Sequence, residues 1–390
     1  MKEINTDILI VGSGLVGLVA AHSLSSQNYK VTLIEKKNFL DPKKKFMDTR
    51  TVAVSEGSKI FLDNLSIWDH LKKYVEPIST INVFDRTSKN KIIFNNKLKN
   101  AELGYVIKNE KFSHVLIKKL QKYKNTKLIY GSKLRNIKFN NKGLTAFTNK
   151  NMITPKLTIA ADGKNSEVKK ILGDKSFVKK YEEVALVLNF FHEKTLKNTA
   201  FEIFYETGPL AILPMQSSGG FNQSTIIWSN KNGFFNNLLS CEKKFIGNLL
   251  EEKIGKIVGK IFKINSSQLF QLSAHINDTF FNKHLVYIGD SAHSIHPIAG
   301  QGWNLGIKDV INLHTLANEY GDDIGSNSFC KSYNNLSYNK AFQLFQITDK
   351  LNLHFKNKSN LYRLFSYGGF KLIQNTNALK NQIAKYAMGI

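Results

Sequence analysis

Three short, strongly apolar runs along the chain are each followed by a glycine-containing turn and then by apolar residues at helical spacing. The runs cover 7–11, 157–161 and 285–288. Short runs of this kind, rich in β-branched residues, are typical of strands that are buried on both faces of a parallel sheet. The pattern therefore predicts an α/β fold in which strands alternate with helices.

The middle of the chain has a different pattern, in which strand-like segments follow one another. They cover 184–191, 200–205, 210–215 and 224–228, and Gly219 and Gly220 separate the last two. Short strands joined by glycine turns predict an antiparallel sheet. From residue 336 onward the apolar spacing is helical. We therefore expect a second, smaller layer of antiparallel strands and a helical end of the chain.

The first apolar run leads into a turn with the spacing Gly-x-Gly-x-x-Gly, which opens a predicted helix. The turn consists of Gly12, Ser13, Gly14, Leu15, Val16 and Gly17. In such turns the first glycine permits the tight bend, the second lets a pyrophosphate approach the backbone, and the third lets the helix pack close to the sheet. A second strand over 30–34 ends at Glu35, whose carboxylate can accept hydrogen bonds from a ribose. This unit predicts dinucleotide binding and leaves NAD and FAD both open.

The stretch after the third apolar run carries the most specific signal. Gly289 and Asp290 end the strand, where an aspartate can hold a polyol hydroxyl. Pro297 then precedes the residues that open the next helix, which are Gly300, Gln301, Gly302, Trp303 and Asn304. A helix N-terminus offers amides and partial positive charge to a ring that becomes anionic on reduction. Together with the turn at Asp162 after the second run, this stretch favours FAD.

Two histidines in the same stretch, His293 and His296, are three residues apart and raise the alternative of a metal site. No third or fourth ligand lies nearby in the sequence, and Pro297 interrupts the turn, so we do not expect a metal. We expect His293 to be a hydrogen-bonded packing residue. His296 and Pro297 are expected to shape the wall beside the flavin ring, and they are also the candidates for a direct catalytic part.

Taken together, the turns at Gly12, Asp162 and Gly289 resemble the three FAD signatures of the class A flavoprotein aromatic hydroxylases. Further segments narrow this resemblance. Residues 48–55, 104–109, 208–214 and 387–389 are similar to those of the ubiquinone-biosynthesis hydroxylases of the UbiH/UbiF type. The similarity extends over about the whole chain. Trp303 departs from it, because the family commonly has a smaller aliphatic residue there.

The resemblance implies an aromatic hydroxylase fold, with a Rossmann-like FAD-binding domain, a smaller antiparallel-sheet substrate domain and a helical C-terminus. It also implies positions for two polar residues. Arg50 would lie over the cofactor's phosphates or the entering nicotinamide nucleotide, and Asn109 would lie near the flavin's linker. The implied FAD-binding domain comprises 1–75, 101–180 and 275–350, the substrate domain 76–100 and 181–274, and the C-terminal helical segment 351–390.

The resemblance implies an activity as well. NADH or NADPH would reduce FAD, dioxygen would add to give a flavin C4a-hydroperoxide, and the aromatic ring of a polyprenylated phenol in ubiquinone biosynthesis would be hydroxylated. A different aromatic substrate is one alternative, and a related flavoprotein reductase or oxidase is another. A protein that carries FAD within a ubiquinone-biosynthesis complex without turning over is a third.

Charge and composition add one further question. The chain carries 55 Lys and Arg against 30 Asp and Glu, a net charge of +25. Only four of the basic residues are arginines and the lysines are spread along the chain, which is typical of compositional drift and not of a nucleic-acid groove. Attraction to an anionic membrane surface stays open. The residues that could contact it are an apolar set near the end of the chain with two basic neighbours, namely Leu361, Leu364, Phe365, Phe370, Leu372 and Ile373 with Arg363 and Lys371. With two cysteines and no signal-peptide pattern, we expect a cytoplasmic protein, either free or peripheral on the inner face of the membrane.

Overall fold

The structure, a computed structural model, describes residues 1–38, 48–85, 91–95, 101–140, 143–356 and 360–390, without the side chains of 299 and 360–366. Its strands are β1 Lys2–Val11, β2 Val31–Glu35, β3 Thr51–Ser55, β4 Val75–Ile78, β5 Thr80–Asp85, β6 Lys91–Asn95, β7 Gly104–Lys108, β8 Thr126–Tyr130, β9 Leu134–Asn140, β10 Gly143–Thr148, β11 Asn151–Ala160, β12 Ser176–His192, β13 Thr199–Tyr205, β14 Gly208–Ser218, β15 Phe221–Lys231, β16 Ile261–Asn277, β17 Phe281–Asn282, β18 Leu285–Tyr287 and β19 His293–Ser294. Its helices are α1 Leu15–Ser26, α2 Glu56–Asn64, α3 Trp68–Leu71, α4 Asn109–Leu120, α5 Glu167–Leu172, α6 Asn232–Ser240, α7 Lys243–Val258, α8 Gln301–Tyr320, α9 Asn327–Lys356, α10 Asn360–Asn375 and α11 Asn377–Met388.

The first sheet contains the three strands that the apolar runs predict. Its order is β17, β18, β11, β1, β2 and β8, with β10 and β9 attached beside β11. β1 runs parallel to β2 and β11, and β11 runs parallel to β18. Ile8, Leu9 and Ile10 are fully buried in one core with residues of α1, α4, α8 and α9. The parallel pairing places the carboxyl ends of β1, β11 and β18 at one edge of the sheet, where the three predicted turns meet.

A small antiparallel sheet joins this core to the second layer. It consists of β3, β7 and β4. Residues 76–78 of β4 fall in the segment that the resemblance gives to the substrate domain, yet β4 pairs with β7. The reason is that Val75 and Ile78 are buried when β4 takes the free edge of β7.

The second sheet has the order β19, β16, β12, β15, β14, β13, β5 and β6. The strands over 176–231 pair antiparallel, as predicted. β5 and β13 are parallel instead, because β5 enters from a distant segment and not through a hairpin. β12 and β16 run without a break across 180/181 and 274/275, so the implied domain boundaries fall inside continuous strands.

The two faces of the second sheet have different neighbours. On one face, α6 and α7 cover Leu186, Ile212 and Trp228, and Phe235 and Leu250 complete this core. Side chains of successive residues in a strand alternate between the faces. The opposite face therefore carries the alternate residues, and it is turned toward the first sheet and the end of the chain.

The end of the chain is helical, as predicted, and α9 continues through the implied boundary at 350/351. The sequence includes an apolar set over 361–373 that the membrane hypothesis would use. The side chains of 361–366 lie outside the described residues, and Phe370 is buried against Phe204 and Ile298. For Phe370 a membrane contact is therefore wrong, because it belongs to the core. No helix within the described residues is long and apolar enough to cross a membrane.

Candidate active site

The glycine turn between β1 and α1 combines two crowded positions with one open position. Gly12 has a φ of +107°, and a Cβ there would lie 2.4 Å from the carbonyl oxygen of Ala161. A Cβ at Gly17 would lie 2.2 Å from the carbonyl oxygen of Gly12. A Cβ at Gly14 would meet no atom within 4 Å. The fold thus requires the outer two glycines, whereas the middle one borders open space.

The start of α1 is free to bind an anion. No side chain of the described residues caps the helix, whose N-cap residue is Gly14, and its first turn contains no acidic residue. The first amides of an α-helix have no partner within the helix and carry partial positive charge. The open space beside Gly14 is therefore the place where a phosphate would fit.

Glu35 lies at the end of β2, beside this turn. One of its carboxylate oxygens accepts hydrogen bonds from the amide and the hydroxyl of Ser13, both at 3.0 Å. The other accepts one from the amide of Lys37 at 2.8 Å. A carboxylate has about four acceptor positions, so the side chain is fixed in place and keeps acceptor capacity for a ribose hydroxyl.

The start of α8 lies close to the start of α1. A Cβ at Gly306 would lie 2.8 Å from Cγ2 of Val16, and a Cβ at Gly289 would lie 3.3 Å from the same side chain. α8 begins after Gly300, which has a φ of +62°. Within the part of the chain that the structure describes, no side chain caps this helix, and its first turn contains no acidic residue. Beside Gly302 the nearest atom to a Cβ would be 4.0 Å away, on Ile295. Two open helix N-termini therefore border one cleft.

Asp290 lies between these two helix starts, in the short turn Gly289–Ser291 that follows β18. Its side chain is exposed to solvent. Burial nevertheless raises its pKa, and the charges of His293, Arg50 and Lys164 offset this only in part. A side chain that is open to solvent but set among so many protein atoms lies at the floor of a cleft.

Asn304 and Gln301 hold α8 to other parts of the chain. The amide oxygen of Asn304 accepts hydrogen bonds from the amide of Ser55 and the hydroxyl of Ser58, both at 2.9 Å, and its nitrogen donates to the carbonyl of Ala53 at 2.9 Å. Gln301 donates to the carbonyl of Ala387 at 3.2 Å. Both side chains thus already have protein partners, and these hydrogen bonds fix the position of the start of α8.

Trp303 lies on the side of α8 that faces α4. Its ring is 5.4 Å from the ring of Phe112, at a tilt of 59°. The indole nitrogen is buried and has no hydrogen-bond partner among the described residues. The larger side chain at this position is thus accommodated by packing against α4, and it keeps one unused hydrogen-bond donor.

Asp309 is a residue that the sequence reasoning missed. It is buried in α8, and one carboxylate oxygen accepts hydrogen bonds from the amide of Gly289 at 2.8 Å and from Nε2 of His293 at 2.7 Å. His293 is therefore a hydrogen-bonded packing residue, in the position expected for it. The available signal was an aspartate within the apolar stripe of the predicted helix, between Ile307 and Val310. Its role is to fix the turn that carries Asp290.

The pair of His293 and Asp309 makes the stability of the fold depend on pH. Burial lowers the pKa of His293, but the carboxylate of Asp309 outweighs this, and the pKa is raised above its ordinary value. The stabilisation is therefore fully present below the unfolded-state value of about 6.5 and is lost as the pH rises through the raised pKa. We expect Asp309→Asn to lower the free energy of unfolding by about 3 kcal/mol near pH 6, and by less above the raised pKa.

Denaturant unfolding of both proteins over a series of pH values measures this difference. The matched control is Asp323→Asn, because Asp323 is exposed in the turn after α8 and its loss should change little at any pH. A destabilisation by Asp309→Asn that stays constant over the pH series would contradict an ionised pair.

Arg50 lies between the cleft and the second sheet. Its guanidinium donates two hydrogen bonds to Asp48, at 2.8 Å and 2.7 Å, and lies 5.5 Å from the centre of the Phe270 ring. The side-chain nitrogen of Asn109, at the start of α4, donates to the same carboxylate at 3.2 Å. The backbone amide of Asn109 donates to the carbonyl of Arg50 at 3.0 Å. Asn189 of β12 donates to the carbonyl of Thr49 at 2.8 Å. Arg50 and Asn109 are thus brought together under the second sheet.

Asp162 follows β11, at the same edge of the first sheet. One of its oxygens accepts hydrogen bonds from the amides of Glu167 and Val168, at 2.7 Å and 3.2 Å, so it helps to cap α5. The other oxygen is buried and has no partner among the described residues. Burial raises the pKa of Asp162 despite these bonds.

His296 and Pro297 come before α8, but the histidine ring is turned away from solvent. The ring lies edge-on to Tyr181 with centres 5.0 Å apart, and both nitrogens are buried without a partner among the described residues. Burial, and the charge of Lys356, lower the pKa of His296 to about 4. The ring is therefore neutral at physiological pH. These contacts favour a packing role in the wall and leave proton transfer to another group.

Comparisons with known proteins agree with this geometry. The sequence model of the family described as FAD binding domain matches residues 5–346. The ubiquinone hydroxylase UbiL of Rhodospirillum rubrum is 27% identical to this chain, over 98% of the chain and 89% of that protein. The 3-demethoxyubiquinol 3-hydroxylase of Escherichia coli (strain K12) is 25% identical, over 99% of each. The crystal structure of p-nitrophenol 4-monooxygenase PnpA from Pseudomonas putida DLL-E4 has a TM-score of 0.80 at 16% identity and covers 100% of this chain with 99% of its own, so the two share a fold.

Proposed function

The chain belongs to the FAD-binding domain family, and from this premise we propose that it is an FAD-dependent monooxygenase that hydroxylates the aromatic ring of a polyprenylated phenol in ubiquinone biosynthesis. NADH or NADPH and dioxygen are its other substrates. The observation that carries the proposal is the cleft where two uncapped helix N-termini and Asp290 come together beneath the second sheet. The named activities of the relatives, which are similar over nearly their whole length, give it the substrate class.

The residues around the cleft fit FAD. The open space beside Gly14 and the free amides of α1 suit a pyrophosphate, and the spare acceptor capacity of Glu35 suits the ribose next to it. The exposed carboxylate of Asp290 suits a hydroxyl of the ribityl chain. The flavin ring would then lie at the start of α8, beside Gly300 and Gly302. Arg50 would lie over the phosphates or the entering nicotinamide nucleotide, and Asn109 near the linker.

Bound FAD would supply the redox chemistry, in which the nicotinamide nucleotide reduces the flavin and the reduced flavin activates dioxygen. The chain's own residues bind and orient. The free amides and the partial positive charge at the start of α8 stabilise negative charge on the pyrimidine edge of the ring. The second sheet would cover the cleft and exclude water from the bound cofactor.

We also propose peripheral attachment to an anionic membrane through the C-terminal helices. Leu353, Leu372 and Tyr386 have exposures of 52%, 61% and 59%, and Lys371 and Lys385 are exposed beside the last two. Apolar side chains with flanking lysines are typical of helices that lie in the headgroup region. This surface would bring the enzyme to a substrate that is held in the lipid by its prenyl tail.

Vesicle co-sedimentation tests this attachment. Binding to phosphatidylglycerol vesicles should weaken as the salt concentration rises, because screening shortens the range of the lysine charges. Leu372→Asp should reduce the binding, whereas Leu336→Asp, an exposed leucine near the start of α9, serves as the matched control. Binding that is absent, or that does not change with salt, would remove the membrane from the proposal.

The proposed function predicts a specific chemical defect in a strain that lacks the protein. Such a strain should accumulate a polyprenylated phenol that has one hydroxyl group fewer than the next intermediate. Expression of the chain should remove the accumulated compound. A reductase or oxidase would bind FAD and consume the nicotinamide nucleotide without this effect, and normal quinone levels in the deletion strain would contradict the proposal.

A further inference from the structure

Glu202 has an unusual place on the second sheet. Its neighbours in β13, Phe201 and Ile203, belong to the core beneath α6 and α7. Because side chains alternate along a strand, Glu202 points to the opposite face. Ala200 and Phe204 confirm this alternation, since both pack on the face that is turned toward the first sheet and the C-terminal helices.

The surroundings of Glu202 on that face are apolar. Directly opposite it on the neighbouring strands are Ala211 and Val83. On one side lies a cluster that contains Ala200 and Met388, and on the other a cluster that contains Phe204 and Ile298. The carboxylate therefore lies at the gap between two apolar clusters, one of which reaches the loop before α8.

Ile298 places this gap beside the cleft. It begins the short turn Ile298–Gly300, which leads directly into the open N-terminus of α8. Ile298 and Phe204 belong to the same cluster, which Phe370 of α10 closes, and Phe355 of α9 stacks on Phe204 with ring centres 3.8 Å apart. The apolar side chains of this cluster suit a prenylated ring, and Glu202 places one carboxyl group beside them.

The carboxyl group of Glu202 has no partner among the described residues. It makes no hydrogen bond and no ion pair with them, and the residue is partly exposed to solvent. Burial alone raises its pKa to about 8, so the carboxylate is the minority form at pH 7 and the group becomes a better base as the pH rises toward 8. Asp85 is the other acid on this face of β5 and β13, but it is buried and has its own contacts. An unpaired acid in apolar surroundings costs stability, and such groups are concentrated at functional sites.

We propose that Glu202 is the catalytic base of the active site: its carboxylate accepts a hydrogen bond from the phenol hydroxyl of the substrate and removes that proton. The inference rests on the proposed function. In this step the O–H bond of the phenol breaks, the proton moves to a carboxylate oxygen of Glu202, and the electron pair stays on the phenol oxygen. The phenolate is richer in electrons at its ortho and para carbons, which are the positions that accept an electrophilic oxygen. No oxidant is consumed in this transfer.

The expected effect is large for turnover and small for the fold. Glu202→Gln keeps the size and a hydrogen bond but cannot take the proton, so product formation from 2-prenylphenol should fall about 100-fold, as for loss of a general base. Glu202→Asp retains the acid and should recover part of the rate. Glu182→Gln is the matched control, since Glu182 is exposed on β12 of the same sheet and should keep full activity. FAD content should be unchanged in all three variants, and the unfolding midpoint should be equal to that of the wild type or, for Glu202→Gln, slightly higher.

A series of substrates separates a base from a structural group. Ring fluorines make 2-prenylphenol more acidic, so the ratio of wild-type to Glu202→Gln rates should shrink as fluorines are added. In ultraviolet difference spectra the wild-type protein should bind the less acidic phenols of the series as phenolates, whereas the variant should bind these as neutral phenols and only the most fluorinated ones as phenolates. A variant as fast as the wild type, or a rate ratio that stays constant through the series, would overturn the assignment of Glu202 while leaving the proposed function intact. A wild-type protein that forms no hydroxylated product from any of these phenols would instead overturn the proposed function and this inference with it.

Discussion

Gly14→Val is expected to weaken FAD binding about 100- to 10,000-fold, which corresponds to the loss of two charge-assisted hydrogen bonds at about 1.5–3 kcal/mol each. The reason is geometric. A Cβ at Gly14 meets no protein atom within 4 Å, so the valine occupies only the space that the pyrophosphate requires. The apoprotein should therefore unfold at the wild-type denaturant concentration. Titration of the apoprotein with FAD, followed by flavin fluorescence, measures the affinity.

Gly17→Ala provides the contrast within the same turn. Its Cβ would lie 2.2 Å from the carbonyl oxygen of Gly12, so this substitution must displace backbone and should destabilise the apoprotein. The two variants thus separate a glycine needed for the ligand from one needed for packing. Wild-type FAD affinity in Gly14→Val would contradict the placement of the pyrophosphate at the start of α1.

Asp290→Ala should weaken FAD binding about 10- to 100-fold, as expected for one hydrogen bond to a charged group. The carboxylate is exposed at the floor of the cleft, so its removal costs no contact that the apoprotein needs. Burial raises the pKa of Asp290, and loss of an unfavourably placed charge should leave the stability of the apoprotein equal or slightly higher. The dissociation constant of FAD and the unfolding curve of the apoprotein are the two quantities to measure.

Asp278→Ala is the control for this variant, because Asp278 is an exposed aspartate in the loop after β16, outside the cleft. It should bind FAD as the wild type does. Equal FAD affinities for Asp290→Ala and Asp278→Ala would show that the turn after β18 does not hold the ribityl chain.

The predictable parts of the molecule are those that depend on local pattern. The strand, the glycine turn and the helix from Asp7 onward follow from period and residue type, and so do the helix starts after Ser166 and Gly300. These elements are determined by neighbours in the sequence. The cleft could be predicted because parallel strands bring their carboxyl ends to one edge.

The parts that could not be predicted depend on contacts between distant residues. The parallel pairing of β5 with β13 and the pairing of β4 with β7 are decided by which edge is free in the folded chain. The bond from Asp309 to Gly289 joins one helix to the turn before it. Glu202 stands in an ordinary strand pattern, and only the register of its neighbours places it beside apolar residues on the face opposite α6 and α7. Phe370 was misplaced because an amphipathic helix looks alike whether it covers a core or a membrane.

Oxygen-18-labelled dioxygen tests most directly whether the protein is a monooxygenase. The purified protein is loaded with FAD and supplied with NADPH or NADH, 2-prenylphenol and the labelled gas. The products are separated, and their masses are measured by mass spectrometry. We expect a hydroxylated 2-prenylphenol that carries one labelled oxygen atom on the ring. Consumption of the nicotinamide nucleotide with only hydrogen peroxide as product, or a hydroxylated product whose oxygen comes from water, would contradict the proposal that the protein is a monooxygenase.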